Sequence, residues 1–148
     1  MIVVIQRCSR GQVTISDKVV GEISHGLVIF LGVQKNDTEN DAEFLVNKIC
    51  GLRIFNDEND KMNLSIKDVN GSALVISQFT LCADTHKGRR PSFIHAASPE
   101  KGNTLYEYFI AQIENNGVPV KSGKFGAMMN VNLINEGPVT FVLDSKQR

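Results

Sequence analysis

The sequence has no net charge, no long hydrophobic run and few cysteines, and each shortage excludes a class of protein. Its 148 residues carry 16 basic and 16 acidic side chains. Because broad nucleic-acid binding usually needs a strongly basic protein, we expect neither an extended nucleic-acid surface nor DNA as a partner. The strongest apolar run, 27–33, is far shorter than the roughly 18 residues of a membrane span, and no signal peptide precedes it, so we expect no membrane association.

The cysteines exclude a metal or disulfide framework. Cys8, Cys50 and Cys82 are odd in number and widely spaced, without a Cys-x-x-Cys pair or a Cys/His cluster. We therefore expect no structural zinc site, no other metal and no cofactor. Free thiols are typical of a reducing cytoplasm, and Cys50 in an apolar helical stretch is predicted to be a core residue.

Common catalytic signatures are also missing. The chain has no Gly-x-Ser-x-Gly elbow, Walker loop, His-Glu-x-x-His motif or Rossmann glycine pattern. Its histidines, His25, His86 and His95, lie far apart, and none neighbours an acid–base partner. A site, if present, must be built from other groups.

Hydrophobic periodicity predicts two helices among many strands. A length of 148 residues without repeat or linker predicts one domain, residues 1–148. Asp37 and Thr38 are candidate N-caps of the first helix, and Ser98, followed by Pro99, is the candidate N-cap of the second. Predicted strands cover 1–7, 12–15, 19–23, 27–33, 65–69, 73–81, 118–121, 128–134 and 139–143. The fold class is therefore a β-rich α/β domain in which two sheets, or one strongly curved sheet, are covered by helices on one face.

Three local segments are unusual. Ser77-Gln78-Phe79-Thr80-Leu81 brings two hydroxyls and an amide to the end of the strongest strand, where sites tend to lie. The 86–93 segment combines Lys87, Arg89 and Arg90 with an aromatic residue, a composition suited to phosphate and base contact. Asn135-Glu136-Gly137-Pro138-Val139-Thr140 places a proline between two predicted strands, which favours a turn. Each segment also has an ordinary structural interpretation: a capped strand end, a solvated charged loop and a hairpin turn.

In this order, the three segments resemble those of the D-aminoacyl-tRNA deacylases of the bacterial and eukaryotic type. The resemblance runs from Met1-Ile2-Val3-Val4-Ile5 through Leu52-Arg53-Ile54-Phe55 and Lys87-Gly88-Arg89-Arg90-Pro91 to Gly123-Lys124-Phe125-Gly126-Ala127. It implies a cytoplasmic homodimer with three layers, β/β/α, and two main helices. It also implies a cofactor-free hydrolase that cleaves the ester of D-aminoacyl-tRNA, and of glycyl-tRNA, at the 3′ end.

The resemblance implies roles for particular residues. Gly137 and Pro138, joined by a cis bond, would reach into the partner subunit's site and exclude L side chains by main-chain carbonyls. Thr80 and Phe79 would lie at the reacting ester. The pocket around the 3′ adenosine would be lined by Ser77, Gln78, Phe125, Ala127 and Met129. Lys87, Arg89 and Arg90 are expected to contact tRNA phosphates.

The mechanism remains open at the level of sequence. Thr80 could act as a nucleophile, but no base stands beside it. The alternative, which we favour, uses the 2′-hydroxyl of the tRNA to assist water while N–H groups near Phe79 and Thr80 stabilise the oxyanion. Two other functions also remain open: a non-catalytic RNA-binding module and a dimeric hydrolase of small esters through Ser77 or Thr80.

The zero net charge conceals a local pattern. Residues 36–60 carry seven acids and two bases, a net charge of −5, whereas residues 85–130 carry six bases and three acids, a net charge of +3. This distribution predicts a small basic footprint with few phosphate contacts.

Overall fold

The computed structural model describes residues 1–147 and consists of one large curved sheet, one small sheet and two helices. The strands are β1 (Ile2–Ile15), β2 (Lys18–Ile23), β3 (Gly26–Gly32), β4 (Phe55–Asn56), β5 (Met62–Leu64), β6 (Ser72–Ser77), β7 (Val120–Ser122) and β8 (Asn130–Asp144). The helices are α1 (Glu39–Gly51) and α2 (Pro99–Asn115), and a 3-10 turn covers Phe79–Cys82. None of the helices within residues 1–147 is long and apolar enough to cross a bilayer.

The large sheet has the order β2-β1-β3-β6-β7, with β8 paired to β1. β1 is antiparallel to β2, β3 and β8, whereas β3–β6 and β6–β7 are parallel. The early half of β1 pairs with β3 and its late half with β2, so the sheet curves back on itself. This curvature creates an inner face in addition to the face that the helices cover.

Two apolar clusters give the molecule its layers. Leu27, Ile29 and Val75 face α1 and α2, whereas Val28 and Leu74 alternate with them and pack inside the curved sheet. Because β3 is buried on both faces of the sheet, the 27–33 segment is a continuous apolar run. The predicted three-layer β/β/α class with two main helices is confirmed, and Cys50 is buried in the helix-side core.

Both helices begin where their caps predict. Thr38 is the N-cap of α1, and its N–H donates to Oδ2 of Asp41 at 2.9 Å. Ser98 caps α2 by accepting from the N–H of Lys101, with Pro99 at the first helical position. The helix ends at Asn115 before Gly117, whose φ is +83°.

Several strand predictions were wrong. The 1–7 and 12–15 segments are one strand, β1, because both pair with β8, and the short strands β4 and β5 were not predicted. Residues 65–69 form a turn, because the N–H and Oγ of Ser65 both donate to Asp68 Oδ2, at 2.8 and 2.7 Å. β6 ends at Ser77 rather than Leu81, since the neighbouring β3 ends at Gly32 and offers no further ladder. The 128–134 and 139–143 segments are one strand, β8, because both pair with β1.

Candidate active site

A cavity of about 560 Å³ opens where the carboxyl ends of β3 and β6 meet. Parallel strands end at the same edge of a sheet, which is where ligands bind in open α/β sheets. Its walls are mostly apolar, and the polar side chains among its lining residues are those of Ser77, Gln78 and Ser98. The residues that line it are Leu31, Val33, Ile76, Ser77, Gln78, Phe79, Ala97, Ser98, Pro99, Gly102, Phe125, Gly126, Ala127, Met128, Met129 and Val131.

The 3-10 turn at one side of the cavity packs directly against the backbone at the end of β3. The N–H of Gln78 donates to the carbonyl of Leu31 at 2.8 Å, which joins the start of the turn to β3. A Cβ at Gly32 would lie 2.9 Å from Leu81 Cβ and 3.1 Å from the Gln78 carbonyl. Only glycine permits this approach, so the turn is positioned by the end of β3.

The turn presents two N–H groups that are not engaged within the part of the chain that the structure describes. The first hydrogen bond within the turn runs from the N–H of Leu81 to the carbonyl of Gln78 at 3.1 Å. The N–H groups of Phe79 and Thr80 come before this bond in the chain, so the turn itself offers them no acceptor. Such donors can stabilise a developing negative charge. The hydroxyl of Thr80 accepts a hydrogen bond from the side-chain amide of Gln78, which is not a base.

The opposite wall is fixed by a buried tyrosine. Tyr106 of α2 donates its hydroxyl to the carbonyl of Val75 at 2.9 Å and packs its ring 5.9 Å from that of Phe125. Burial raises the pKa of Tyr106 to about 12, so the hydroxyl remains a neutral donor. The ring contact holds Phe125 against α2. Phe125, Ala127 and Met129 line the cavity, together with Met128, which is 91% exposed.

Residues 136–139 form a bulge within β8. Gln6 pairs with Thr140 and Cys8 pairs with Asn135, so four residues of β8 lie opposite the single residue Arg7. The Gly137–Pro138 peptide bond is cis, and Gly137 has a φ of +126°. The hairpin-turn interpretation of this segment is therefore wrong, because the residues on both sides of it pair with one strand.

The buried side chain of Arg7 holds the bulge in place through hydrogen bonds. Its side chain is almost fully buried, with 6% exposure. Nε donates to the Glu136 carbonyl at 3.1 Å, while Nη1 donates to the Ile54 carbonyl at 2.7 Å and to Asn56 Oδ1 at 3.0 Å. The side chain of Asn135 closes the bulge by accepting from the Val139 N–H at 2.8 Å.

The structure brings together only part of the predicted site. Ser77, Gln78, Phe79, Phe125, Ala127 and Met129 line the cavity, and Thr80 follows at its margin. Gly137 and Pro138 are exposed on β8 and do not line the cavity of their own chain. Lys87, Arg89 and Arg90 lie in an exposed loop between the 3-10 turn and α2.

Sequence reasoning missed two contributors. The start of α2, with Ser98, Pro99 and Gly102, lines the cavity, although its capping residues had been interpreted only as a helix signal. Arg7 was interpreted as the end of a strand. A lone arginine in an apolar β-branched run was the available signal, because a charge there needs buried acceptors. The histidines do not line the cavity. The expectation that none has an acidic neighbour was wrong, because His86 Nδ1 lies 2.7 Å from Asp84 Oδ1 and His25 lies 3.6 Å from Glu136.

Comparison with known proteins places this architecture among the tRNA deacylases. The D-Tyr-tRNA(Tyr) deacylase family model matches residues 4–144. D-aminoacyl-tRNA deacylases of Thermotoga petrophila and Koribacter versatilis are 53% and 54% identical over 147 residues, with 99% of each chain covered. The chain belongs to the D-Tyr-tRNA(Tyr) deacylase family.

Solved structures agree on the fold. A c-Myc DNA Unwinding Element Binding Protein superposes with a TM-score of 0.93 at 37% identity, covering 97% of this chain and 98% of the other. A probable eukaryotic D-amino acid tRNA deacylase superposes with a TM-score of 0.82 over the same shares at 20% identity, which shows a shared fold.

Proposed function

We propose that this chain hydrolyses the ester between a D-amino acid and the 3′ end of tRNA, releasing the free amino acid and the tRNA. The observation that carries the proposal is the apolar cavity with unengaged N–H groups at Phe79 and Thr80, in a chain of this family. The relatives' names support the substrate class, since they cover 99% of the chain at 53–54% identity. The cytoplasm, where tRNA is charged, is the proposed location.

The proposed chemistry needs water, an oxyanion site and positioning. Water attacks the ester carbonyl carbon, the bond to the ribose 3′ oxygen breaks, and that oxygen takes up a proton. The N–H groups of Phe79 and Thr80 stabilise the negative charge that develops on the carbonyl oxygen; one such donor is typically worth about a hundredfold or more in rate. The neighbouring 2′-hydroxyl of the tRNA orients the water, so no cofactor is required.

A nucleophilic role for Thr80 is the less favoured mechanism. Its hydroxyl is the acceptor of the Gln78 amide, and an amide cannot take up the proton that a nucleophilic threonine must lose. Ser77 lines the cavity as well, but it too lacks a base among its described hydrogen-bond partners. We therefore assign Ser77 and Gln78 to substrate binding.

The chiral screen is proposed to act between subunits of a homodimer. Gly137 and Pro138 are exposed and do not line their own cavity, so they are available to a second copy. Exposed apolar side chains on the same strand, Ile134 at 60% and Val142 at 69%, favour a partner on this face. The main-chain carbonyls at Gly137 then exclude L side chains, while a D side chain points outward and glycine is accepted.

The tRNA contact is proposed to be small. Lys87, Arg89 and Arg90 are exposed cations in one loop, which suits a few phosphates. Roughly three contacts correspond to a slope of about −2 to −3 in a plot of log K against log salt. Arg89→Ala should reduce that slope by about one, and a wild-type slope near −10 would contradict a small footprint.

The deciding experiment compares matched D- and L-tyrosyl-tRNA, each with and without the protein. We expect rapid loss of the D ester and none of the L ester above the uncatalysed rate. Binding of tRNA without cleavage would instead indicate a non-catalytic RNA-binding module. Equal cleavage of free D-tyrosine esters, with little salt dependence, would indicate a small-ester hydrolase.

A further inference from the structure

An exposed aromatic pair lies between the cavity and the cationic loop. The rings of Phe79 and Phe93 meet edge to face, with centroids 5.0 Å apart and an interplanar angle of 61°. Phe79 is 56% exposed and Phe93 is 38% exposed. Large apolar side chains grouped on a surface usually mark a binding site.

The loop that carries the cations closes directly before Phe93. Asp84 and Ser92 exchange two backbone hydrogen bonds, at 2.7 and 2.9 Å, which close the loop at its base directly before Phe93. Lys87, Arg89 and Arg90 lie at its exposed end and form no ion pair with any residue in 1–147. Cations that track a backbone beside aromatic faces are the combination that binds single-stranded nucleic acid.

We propose that Phe79 and Phe93 stack the nucleobase that precedes the terminal adenosine of the substrate tRNA. This rests on the proposed function and extends it to a second nucleotide. Phe79 connects the two positions, because it is one of the residues that line the cavity and its ring contacts Phe93, which does not line it. The unpaired positive charge of the neighbouring loop favours a nucleic acid over an apolar protein partner.

The test separates the second nucleotide from the first. Wild type, Phe93→Leu and Phe93→Tyr are assayed with D-tyrosyl-tRNA and with 3′-O-(D-tyrosyl)adenosine, which has no preceding base. Stacking predicts that Phe93→Leu raises KM for the tRNA roughly tenfold at nearly unchanged kcat, while KM for the adenosine ester is unchanged. Phe93→Tyr, which keeps a ring, should behave like wild type. Ile94→Ala is the matched control: Ile94 is the adjacent residue, is 60% exposed and carries no ring that could stack, so this change should leave KM for both substrates unaffected.

A direct readout uses a short RNA that ends in adenosine and carries 2-aminopurine at the preceding position. Wild type should quench its fluorescence, and Phe93→Leu should not. The inference is overturned if both substrates respond equally to Phe93→Leu, if Ile94→Ala weakens tRNA binding as much, or if Phe93→Leu dissociates a homodimer. If the wild-type protein cleaves neither substrate, the proposed function is overturned as well. If it cleaves both substrates but does not quench the 2-aminopurine fluorescence, only the stacking proposal is overturned.

Discussion

Replacing Arg7 with methionine should destabilise the protein and relax its chiral discrimination. The substitution keeps a long apolar stem but removes the donors to Glu136 O, Ile54 O and Asn56 Oδ1. Of these acceptors, the Ile54 carbonyl is buried and cannot turn to water. A buried acceptor left unpaired costs about 1–3 kcal/mol, and the two lost charge-assisted bonds add to this, so we expect a loss of roughly 3 kcal/mol.

Arg10→Met is the matched control, because Arg10 lies on the same strand but is exposed. Its ion pair with Glu22 spans 2.8 Å between side chains that are 59% and 45% exposed, and such pairs contribute roughly 0–1 kcal/mol. Urea unfolding gives both free energies. Equal losses in the two variants would refute the role of Arg7 beneath the bulge.

The same variants test whether the bulge screens chirality. Without Arg7, residues 136–139 lose their attachment to Ile54 and Asn56, so Gly137 no longer has a fixed position. We expect Arg7→Met to hydrolyse L-tyrosyl-tRNA measurably, whereas Arg10→Met rejects it as wild type does. Unchanged rejection by a folded Arg7→Met would contradict the screening role.

Three further predictions concern the turn, the hydroxyl and the chain end. Gly32→Ala should lower kcat by roughly tenfold to a hundredfold, since its Cβ would lie 2.9 Å from Leu81 Cβ and displace the 3-10 turn. Gly51→Ala is the control and should keep full activity, because no atom lies within 4 Å of the added Cβ. Equal kcat values in the two variants would refute the claim that Gly32 positions the turn. Thr80→Val should retain turnover within about tenfold, and a loss beyond roughly a thousandfold would favour the nucleophile. Burial acts to raise the pKa of Asp41, but hydrogen bonds from Lys146, Thr38 and Ser145 outweigh burial, so the pKa in the folded protein is lowered. The ionised carboxylate therefore stabilises the folded state at pH values above about 4, the pKa of an aspartate in the unfolded chain. The stability difference between wild type and Lys146→Met, measured by urea unfolding, should therefore shrink as the pH falls below about 4.

Local signals predicted the elements, while pairing decided their bounds. The N-cap at Ser98 and the apolar run at 27–33 each fix a local conformation, and the structure follows both. The extent of β6 depends instead on where β3 ends, and the continuity of β8 depends on a shared partner, β1. Neither relation is encoded near the residues that it governs.

The candidate site shows the same division. Motifs at 77–80 and 125–129 identified two walls of the cavity, because their residues lie together along the chain. The wall from α2 depends on contacts such as that between Tyr106 and Val75, 31 positions apart. The support from Arg7 depends on a contact across 47 positions, that with Ile54. Such contacts become visible only when the chain is folded.

Single-turnover hydrolysis of D-tyrosyl-tRNA and L-tyrosyl-tRNA by the same wild-type preparation tests the central claim most directly. Cleavage of the D ester with the L ester left at its spontaneous rate is the predicted result. Comparable cleavage of both esters, or of neither, would contradict a chirality-selective deacylase.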